Sequence, residues 1–320
     1  MDHARGTVTD RSRLAAEERD GIAAPGGRPE PPARVVAAKV STRAKFGQIW
    51  SSRELLWFLV RKELKVRYKN SVLGFVWSFL NPALVLMIYY VVFKYFLHNQ
   101  TPDFALFLFS GLLAWNLFNN SLLSSAGVLV AHAGIVKKVA FPREVLALSQ
   151  VGVSICYFFF QTCILVVFLA GFQVIPAFKY LPLLLLALLA DIVLSAALAV
   201  FLSAVNVYLR DVQHFVEVLL VALFFSPPIV YPFAGIHLHH LKDLYLANPL
   251  VWIVLAFQRC LYGNVLPPGE TLGGIKSPLP TWGHAVYLEG LGVVLAGSVI
   301  LFFLAMLIFG RVEGNFAEEL

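Results

Sequence analysis

Charged residues are scarce in this 320-residue chain. Only 14% of its residues are Asp, Glu, Lys or Arg, and 59% are apolar, whereas typical soluble domains carry about 25% charged residues. This composition excludes an ordinary soluble globular protein. The chain is therefore predicted to bury most of its apolar surface in lipid.

Cysteine is also scarce, which excludes a disulfide framework. Cys156 and Cys163 lie seven positions apart on one helical pattern, a rise of about 10 Å that a disulfide cannot bridge. Cys260 stands alone in the sequence. All three are predicted to be buried residues that pack as small apolar side chains.

The motifs of common enzymes are missing. The sequence contains no G-x-x-x-x-G-K-[ST] loop for a nucleotide phosphate, no G-x-S-x-G, no H-E-x-x-H and no D-x-D. His237, His239 and His240 form one H-x-H-H cluster without Cys or a matched carboxylate pair, so they are interpreted as interfacial histidines and not as metal ligands. The chain is therefore predicted to have no catalytic site, no metal and no cofactor of its own.

The net charge of +6 does not indicate nucleic-acid binding, because no recognition motif accompanies it. Residues 35–69 are rich in Lys and Arg and hold only two acids, Glu54 and Glu63. Basic residues beside the first membrane segment orient a chain with that side in the cytoplasm. Both termini are therefore predicted to be cytoplasmic if the chain crosses the membrane an even number of times.

Six apolar segments are long enough to cross about 30 Å of hydrocarbon at about 1.5 Å per residue. Asn81-Pro82 is expected to kink the first segment, and Ser226-Pro227-Pro228 to break the fifth near its outer end. The fold class is thus an all-α integral membrane protein with six transmembrane helices. The segments lie near residues 72–96, 104–130, 145–170, 181–205, 214–233 and 286–309.

Other segments flank or interrupt the membrane domain, residues 70–310. Residues 1–46 mix charges of both signs with Ala, Gly and Pro, so they are predicted to form a disordered cytoplasmic tail and linker. Residues 234–265 are predicted to contain a re-entrant segment, because the apolar run 248–261 is short for a full span. Residues 311–320 form a C-terminal tail.

Residues 47–69 are predicted to form an amphipathic helix in the plane of the membrane interface. Arg61, Lys65 and Lys69 line its basic face. No soluble core is expected nearby to cover the apolar face, which consists of Leu56, Leu59, Val60 and Leu64.

Five motifs, in this order, resemble those of ABC-2-type polysaccharide-export permeases of the Wzm and teichoic-acid type. Together with the hydropathy pattern, the resemblance covers roughly residues 45–310. The motifs are VRYKNSVLGFVWSFLNP (66–82), IVKKVAFPREVLALS (135–149), NVYLRDVQHF (206–215), SPPIVYP (226–232) and ANPL (247–250).

This resemblance implies six spans per subunit, an interfacial N-terminal helix and a gate that folds back between spans five and six. It also implies a homodimer in the plasma (inner) membrane with two copies of a separate cytosolic ATPase, which would bind ATP and Mg. The implied substrate is a polyprenyl-diphosphate-linked glycan moved outward. The Ala-, Arg- and Pro-rich tail favours an actinobacterial cell-wall galactan, with O-antigen, wall teichoic acid or a small-molecule drug as alternatives.

Four groups of candidate residues follow. The short basic loop 132–144 and the Arg-Asp pair after span four are predicted to contact the ATPase, although the same charges also set topology; the residues are Lys137, Lys138, Phe141, Pro142, Arg143, Glu144, Arg210 and Asp211. The candidates for the interface helix or for the lipid diphosphate are Arg61, Lys65, Arg67 and Lys69.

Aromatic side chains are predicted to line a glycan channel, because sugar C–H faces stack on rings. The candidates are Phe75, Trp77, Tyr89, Tyr90, Tyr157, Phe224, Phe225 and Tyr231. A run of Asn and Ser in span two, from Asn116 to Ser125, is interpreted either as a hydrated path or as a helix interface. Asp191 is expected to point inward from the middle of span four.

Overall fold

The computed structural model of the protein describes residues 42–69, 76–96, 101–139, 141–233, 242–272 and 274–320, which belong to one compact unit. Residues 1–41 of the predicted tail lie outside these ranges. So do the channel candidate Phe75 and the histidine cluster 237–240.

The described chain is mostly helical, as predicted. Two strands, β1 (Thr271–Leu272) and β2 (Ile275–Lys276), form a small antiparallel hairpin. The helices are α1 (Thr42–Ser51), α2 (Arg53–Tyr68), α3 (Trp77–Val91), α4 (Phe104–Ala126), α5 (Val128–Ala131), α6 (Ala133–Val136), α7 (Glu144–Gly171), α8 (Leu181–Tyr208), α9 (Val212–Phe224), α10 (Lys242–Leu246), α11 (Pro249–Leu261), α12 (His284–Val312) and α13 (Phe316–Glu319). A π-helical turn, Val92–Phe96, extends α3, and 3₁₀ turns precede α8 and α13 (Phe178–Tyr180 and Glu313–Asn315).

Five helical stretches among the described residues are long and apolar enough to cross a membrane. They are Trp77–Phe96, Phe104–Ala126, Glu144–Gly171, Phe178–Tyr208 and His284–Asn315. The five predicted spans that overlap them are therefore helical. The structure supports an all-α membrane fold, and the count of six spans stays a prediction.

The fifth predicted span, 214–233, is not a continuous helix. Helix α9 ends at Phe224 after 13 residues, too few to cross the hydrocarbon alone. Pro227 and Pro228 provide no backbone N–H for a further turn. The chain from Ser226 to Tyr231 instead folds as a turn against α11.

Helix α4 forms the centre of the bundle. It packs against α7, α8 and α11, while α12 lies along α8. One large apolar cluster joins these helices. In contrast, α3 buries only Ser78 and Leu86 and leaves most of its apolar side chains exposed. Helix α3 therefore lies at the edge of the bundle, where lipid or another protein surface covers it.

Helix α2 has the predicted apolar face, but that face packs on protein. Val60 is 1% exposed and forms a cluster with Val153 and Tyr157 of α7. Gly152 permits this approach, because a Cβ there would lie 2.8 Å from a methyl group of Val60. The sequence did not predict this contact with a membrane-span helix, since sequence periodicity does not reveal the partner of an apolar face.

The cysteines and the C-terminus also differ from expectation. All three cysteines are free, and only Cys260 is fully buried; Cys163 is exposed. The C-terminal residues form α13, and Phe316 is completely buried against Phe309. The last residues are thus part of the packed structure.

Candidate functional site

A cleft of about 500 Å³ lies between α3, α4 and α9. We call it the aromatic cleft. Its polar lining comes from Asn116, Asn119 and Glu217, and its volume lies in the range of small-molecule sites. The aromatic lining residues are Tyr89, Trp115, Phe224 and Phe225.

Three aromatic rings of the cleft pack against one another. The Trp115 and Phe224 rings meet edge to face at 5.5 Å between centroids, and Phe225 packs on Phe224 at 5.1 Å. Phe225 is nevertheless 60% exposed. The cleft therefore presents apolar faces and amide groups together, a lining suited to a large polar solute with apolar C–H faces.

A second cavity, of about 380 Å³, lies on the α7 side of α3. We call it the Ser78 pocket. Its lining is predominantly polar even though most of it comes from membrane helices. The lining residues are Arg67, Trp77, Ser78, Asn81, Pro82, Asn120, Tyr157 and Gln161.

Asn116 connects the two cavities. Asn116 lines the aromatic cleft, and its side-chain Nδ2 donates at 3.1 Å to Oε1 of Gln161, which lines the Ser78 pocket. Ser125 belongs to the helix interface, since its hydroxyl donates to the Ala147 carbonyl at 3.2 Å. Both interpretations of the Asn and Ser run in α4 thus apply, each to different residues.

A third cavity, of about 300 Å³, lies under α2. Arg67 lines both this cavity and the Ser78 pocket. Its guanidinium lies 5.1 Å from the ring centroid of Tyr157, a cation–π contact. Arg67 is therefore the cation of α2 that reaches the cavities.

The other basic candidates, Arg61 and Lys65 of α2 and Lys69 just after it, do not line these cavities. Arg61, Lys65 and Lys69 are exposed. The Arg61 guanidinium lies 4.8 Å from the Trp57 ring centroid, and Trp57 is itself half exposed. This surface combines cations with large apolar side chains, as helices at a lipid interface do.

The predicted channel aromatics divide into three sets. Tyr89, Phe224 and Phe225 line the aromatic cleft, whereas Trp77 and Tyr157 line the Ser78 pocket. The remaining two lie outside both cavities: Tyr90 packs edge to face on Tyr95, and Tyr231 belongs to the turn after α9.

Hydrogen bonds fix the turn after α9 against α11. Asn248 Nδ2 donates to Ser226 Oγ at 2.6 Å, and Gln258 Nε2 donates to the Pro228 carbonyl at 2.8 Å. Gly111 leaves room for Gln258, since a Cβ there would lie 3.1 Å from the Gln258 amide nitrogen. The motifs around Ser226 and Asn248 are therefore two halves of one contact.

Two tyrosines complete this contact. The Tyr231 hydroxyl lies 2.9 Å from the carbonyls of both Phe225 and Ser226, and 3.4 Å from the Tyr245 hydroxyl. Burial raises the pKa of the Tyr245 phenol. The phenol therefore remains protonated and able to donate at neutral pH.

The basic loop between α6 and α7 presents two exposed cations, Lys137 and Lys138. Arg143 is held by the C-terminus, because its guanidinium donates to the Glu313 carbonyl and lies 5.8 Å from the Phe316 ring centroid. Glu144 is buried at the start of α7. Half-buried Phe141 packs on the apolar cluster at this end of the bundle, and neighbouring Pro142 is half-buried too.

Arg210 and Asp211 form the exposed turn between α8 and α9. Neither side chain forms a hydrogen bond within the described part of the chain. The turn is closed by Asn206, whose Oδ1 accepts from the Gln213 backbone N–H at 3.1 Å. The pair is therefore available on the surface and does not hold the turn.

Asp191 points inward from α8, as predicted, and is completely buried. Its Oδ1 accepts from the Ser195 hydroxyl at 3.5 Å, while Oδ2 has no partner among the described residues. No Lys or Arg in that part of the chain bonds to the Asp191 carboxylate.

Sequence reasoning missed several residues that shape these sites. Ser78 and Asn248 were quoted only within motifs and given no role of their own, and Gln258 was not singled out, although their polarity inside apolar segments was a usable signal. Gly152 and Phe316 carried no signal, because their importance depends on the residue that each one meets.

The ABC-2 type transporter family profile matches residues 54–262. The O-antigen export system permease protein RfbA of Myxococcus xanthus is 32% identical over 274 residues, which cover 85% of this chain and 98% of the relative. RfbA of Klebsiella pneumoniae is 29% identical, covering 83% of this chain and 95% of the relative. The polysialic acid transport protein KpsM of Escherichia coli is 26% identical, covering 67% and 83%. The chain therefore belongs to the ABC-2 type transporter family.

Proposed function

We propose that this protein is the membrane subunit of an ABC transporter that exports a polysaccharide linked to polyprenyl diphosphate. The observation that carries the proposal is the aromatic cleft, where the faces of Tyr89, Phe224 and Phe225 lie beside two asparagine amides. Rings offer shallow apolar contact to sugar C–H faces, and amides exchange hydrogen bonds with hydroxyl groups. A polymer can slide along such a surface without tight binding at one position.

The relatives support the same substrate class. Two are named for O-antigen export and one for polysialic acid transport, and the alignments cover most of both chains. A small-molecule exporter of the same architecture is the weaker alternative, because the named relatives carry polysaccharides. Cell-wall galactan and O-antigen are both kept as candidate polymers.

The open aromatic cleft supports a homodimer. Helices α3 and α9 expose large apolar residues beside the cleft, including Met87, Ile88, Val218 and Val221. A second copy that covers these faces would close the cleft into a channel and remove apolar surface from lipid. In this arrangement Val212–Phe224 and the turn after it serve together as the fifth span.

A separate cytosolic ATPase is proposed as the motor, binding ATP and Mg. The sequence contains no phosphate-binding loop of its own. The surface formed by Lys137, Lys138 and the Arg210-Asp211 turn supplies exposed charges on short segments that join membrane helices. Movement of such a segment is transmitted directly to α4, α7, α8 and α9.

The positions of the basic residues support a plasma (inner) membrane protein with both termini in the cytoplasm. In this topology the α2 surface and the loop after α6 lie on one side. The turn between Ser226 and Tyr231 lies near the other side and contacts α11, the proposed re-entrant segment.

The test is depletion of the protein in its native bacterium, followed by sugar analysis of lipid-linked glycans. Accumulation of one long lipid-linked polymer inside the cell is expected, and its sugars identify the substrate. Galactose, including the furanose form, would select galactan. Unchanged glycans together with increased drug sensitivity would instead support a small-molecule exporter.

A further inference from the structure

The Ser78 pocket contains a polar group that the fold does not use. Ser78 is 6% exposed, and its hydroxyl has no hydrogen-bond partner among the described residues. A buried polar group left without a partner is costly, so such groups are rare unless they serve a ligand, a water or an ion.

Pro82 removes the regular helical donor of a second acceptor at the same place. In a regular helix the N–H of residue 82 would donate to the carbonyl of residue 78, but proline has no N–H. The Ser78 carbonyl is thus deprived of its normal helical donor. Both Ser78 and Pro82 line the pocket.

The other pocket residues combine three kinds of recognition chemistry. Asn81, Asn120 and Gln161 supply amides that donate and accept, as hydroxyl groups require. Trp77 is 43% exposed and supplies an apolar ring face. Arg67 supplies a guanidinium, the preferred partner of phosphate.

We infer that the Ser78 pocket binds a glycosyl phosphate, namely the first sugar of the transported glycan together with the phosphate attached to it. This inference rests on the proposed function. The sugar occupies the polar pocket between α3, α4 and α7, and Arg67 binds the phosphate at the end of the pocket nearest α2. The pocket volume of about 380 Å³ is within the range of small-molecule sites.

The location favours this ligand over a free sugar. The pocket lies at the first turns of α3 and is also lined by Arg67 of α2, whose exposed face carries cations and Trp57. A lipid-linked sugar phosphate in the inner leaflet would reach Arg67 while its lipid remained in the membrane. The pocket would therefore select the linkage region of the substrate before the polymer reaches the aromatic cleft.

Ser78→Ala is the decisive variant, because a role in substrate binding predicts a loss of export without a loss of stability. Removal of an unpaired buried hydroxyl leaves stability unchanged or raises it. If the hydroxyl binds substrate, export falls and lipid-linked glycan accumulates in cells. The control is Ser203→Ala, which removes a buried hydroxyl that donates to the Val200 carbonyl at 2.9 Å, far along the chain from the pocket.

Binding is measured with full-length protein in nanodiscs. The probes are the lipid-linked glycan extracted from depleted cells and the same glycan freed from its lipid phosphate by mild acid. Ser78→Ala is expected to weaken both probes by up to about tenfold, the contribution of one hydrogen bond. Arg67→Gln is expected to weaken only the phosphate-bearing probe, with Arg53→Gln, an exposed cation at the start of α2, as the control.

Two outcomes would overturn the inference separately from the function. If depletion causes glycan accumulation but Ser78→Ala exports and binds like the wild type, the pocket does not bind the sugar. If Arg67→Gln weakens both probes equally, the guanidinium does not bind phosphate. Depletion without accumulation would overturn the proposed function, and the pocket inference with it.

Discussion

A methyl group of Val60 occupies the space that a side chain at position 152 would need. A Cβ at Gly152 would lie 2.8 Å from Val60 Cγ2, closer than real Cβ contacts come. This contact lies where α2 packs on α7, the third predicted span. It also lies in the cluster that includes Tyr157, a lining residue of the Ser78 pocket.

We expect Gly152→Ala to destabilise the protein by about 1–3 kcal/mol, the usual cost of overpacking. Val60→Ala alone is expected to cost a similar amount through a cavity. The double variant should be more stable than the sum of the two effects predicts, because the methyl group added at position 152 fills part of the space that Val60→Ala vacates. Thermal unfolding of the four purified proteins measures this, and strictly additive effects would contradict the contact.

The turn after α9 provides a second prediction. Asn248 Oδ1 caps α11 by accepting from the Leu250 N–H at 3.0 Å, and its Nδ2 donates to Ser226. Asn248→Ala removes both interactions and is expected to cost about 1–3 kcal/mol. Asn248→Asp keeps the cap acceptor and should cost less. Unfolding midpoints in the same detergent rank the three proteins, and equal midpoints for Ala and Asp would exclude a contribution from the cap.

The exposed cations of the loop after α6 provide a third prediction. We expect Lys137→Glu with Lys138→Glu to weaken association with the ATPase, because an attractive charge becomes repulsive. Membrane insertion should persist, since the basic residues near α2 remain to orient the chain. The control is Lys179→Glu with Lys276→Glu, an equal charge change at two exposed positions on the opposite side in the proposed topology.

Co-purification of the ATPase from membranes measures this effect, at low and at physiological salt. The loss in the loop variant should be larger at low salt, where charges are less screened. Equal recovery of ATPase with the loop variant and the control would remove this loop from the coupling surface.

Periodicity and length were sufficient to predict which segments are helical. The ends of α7 and α8 match the predicted spans within a few residues, because long apolar runs have few alternatives in lipid. In the predicted fifth span the helix ends at Phe224, just before the predicted break at Ser226-Pro227-Pro228, but the sequence did not predict the fold of the turn that follows. There the outcome depends on bonds from Asn248 and Gln258, which are remote in sequence.

The candidate sites were predictable by residue type but not by grouping. Aromatics and amides were identified, yet the sequence could not divide Tyr89 from Trp77, which face different cavities on either side of α3. That division depends on the rotation of α3 in the bundle. When nearly every side chain of a helix is apolar, hydrophobic periodicity does not show which face of the helix points toward the bundle.

The C-terminal helix provides the last prediction. Phe316 is fully buried, with its ring 5.3 Å from Phe309 and 6.0 Å from Tyr208, and it faces the Arg143 guanidinium. Arg143 belongs to the proposed coupling loop and is bonded to the Glu313 carbonyl. The C-terminal residues therefore hold Arg143 in place at the end of that loop, and we call this contact the C-terminal clamp.

We expect Phe316→Ala to cost about 3–5 kcal/mol through a cavity, and Phe316→Leu to cost less. Less ATPase should also co-purify with the Ala variant, because the Arg143 guanidinium loses its contact with the Phe316 ring. The amount of the variant in the membrane should remain measurable. Glu318→Gln with Glu319→Gln is the control, since both side chains are exposed on the same short helix. Phe316→Ala could unfold at a lower temperature and still bind the ATPase normally at temperatures where it is folded. In that case the C-terminal clamp stabilises the protein but does not position the loop.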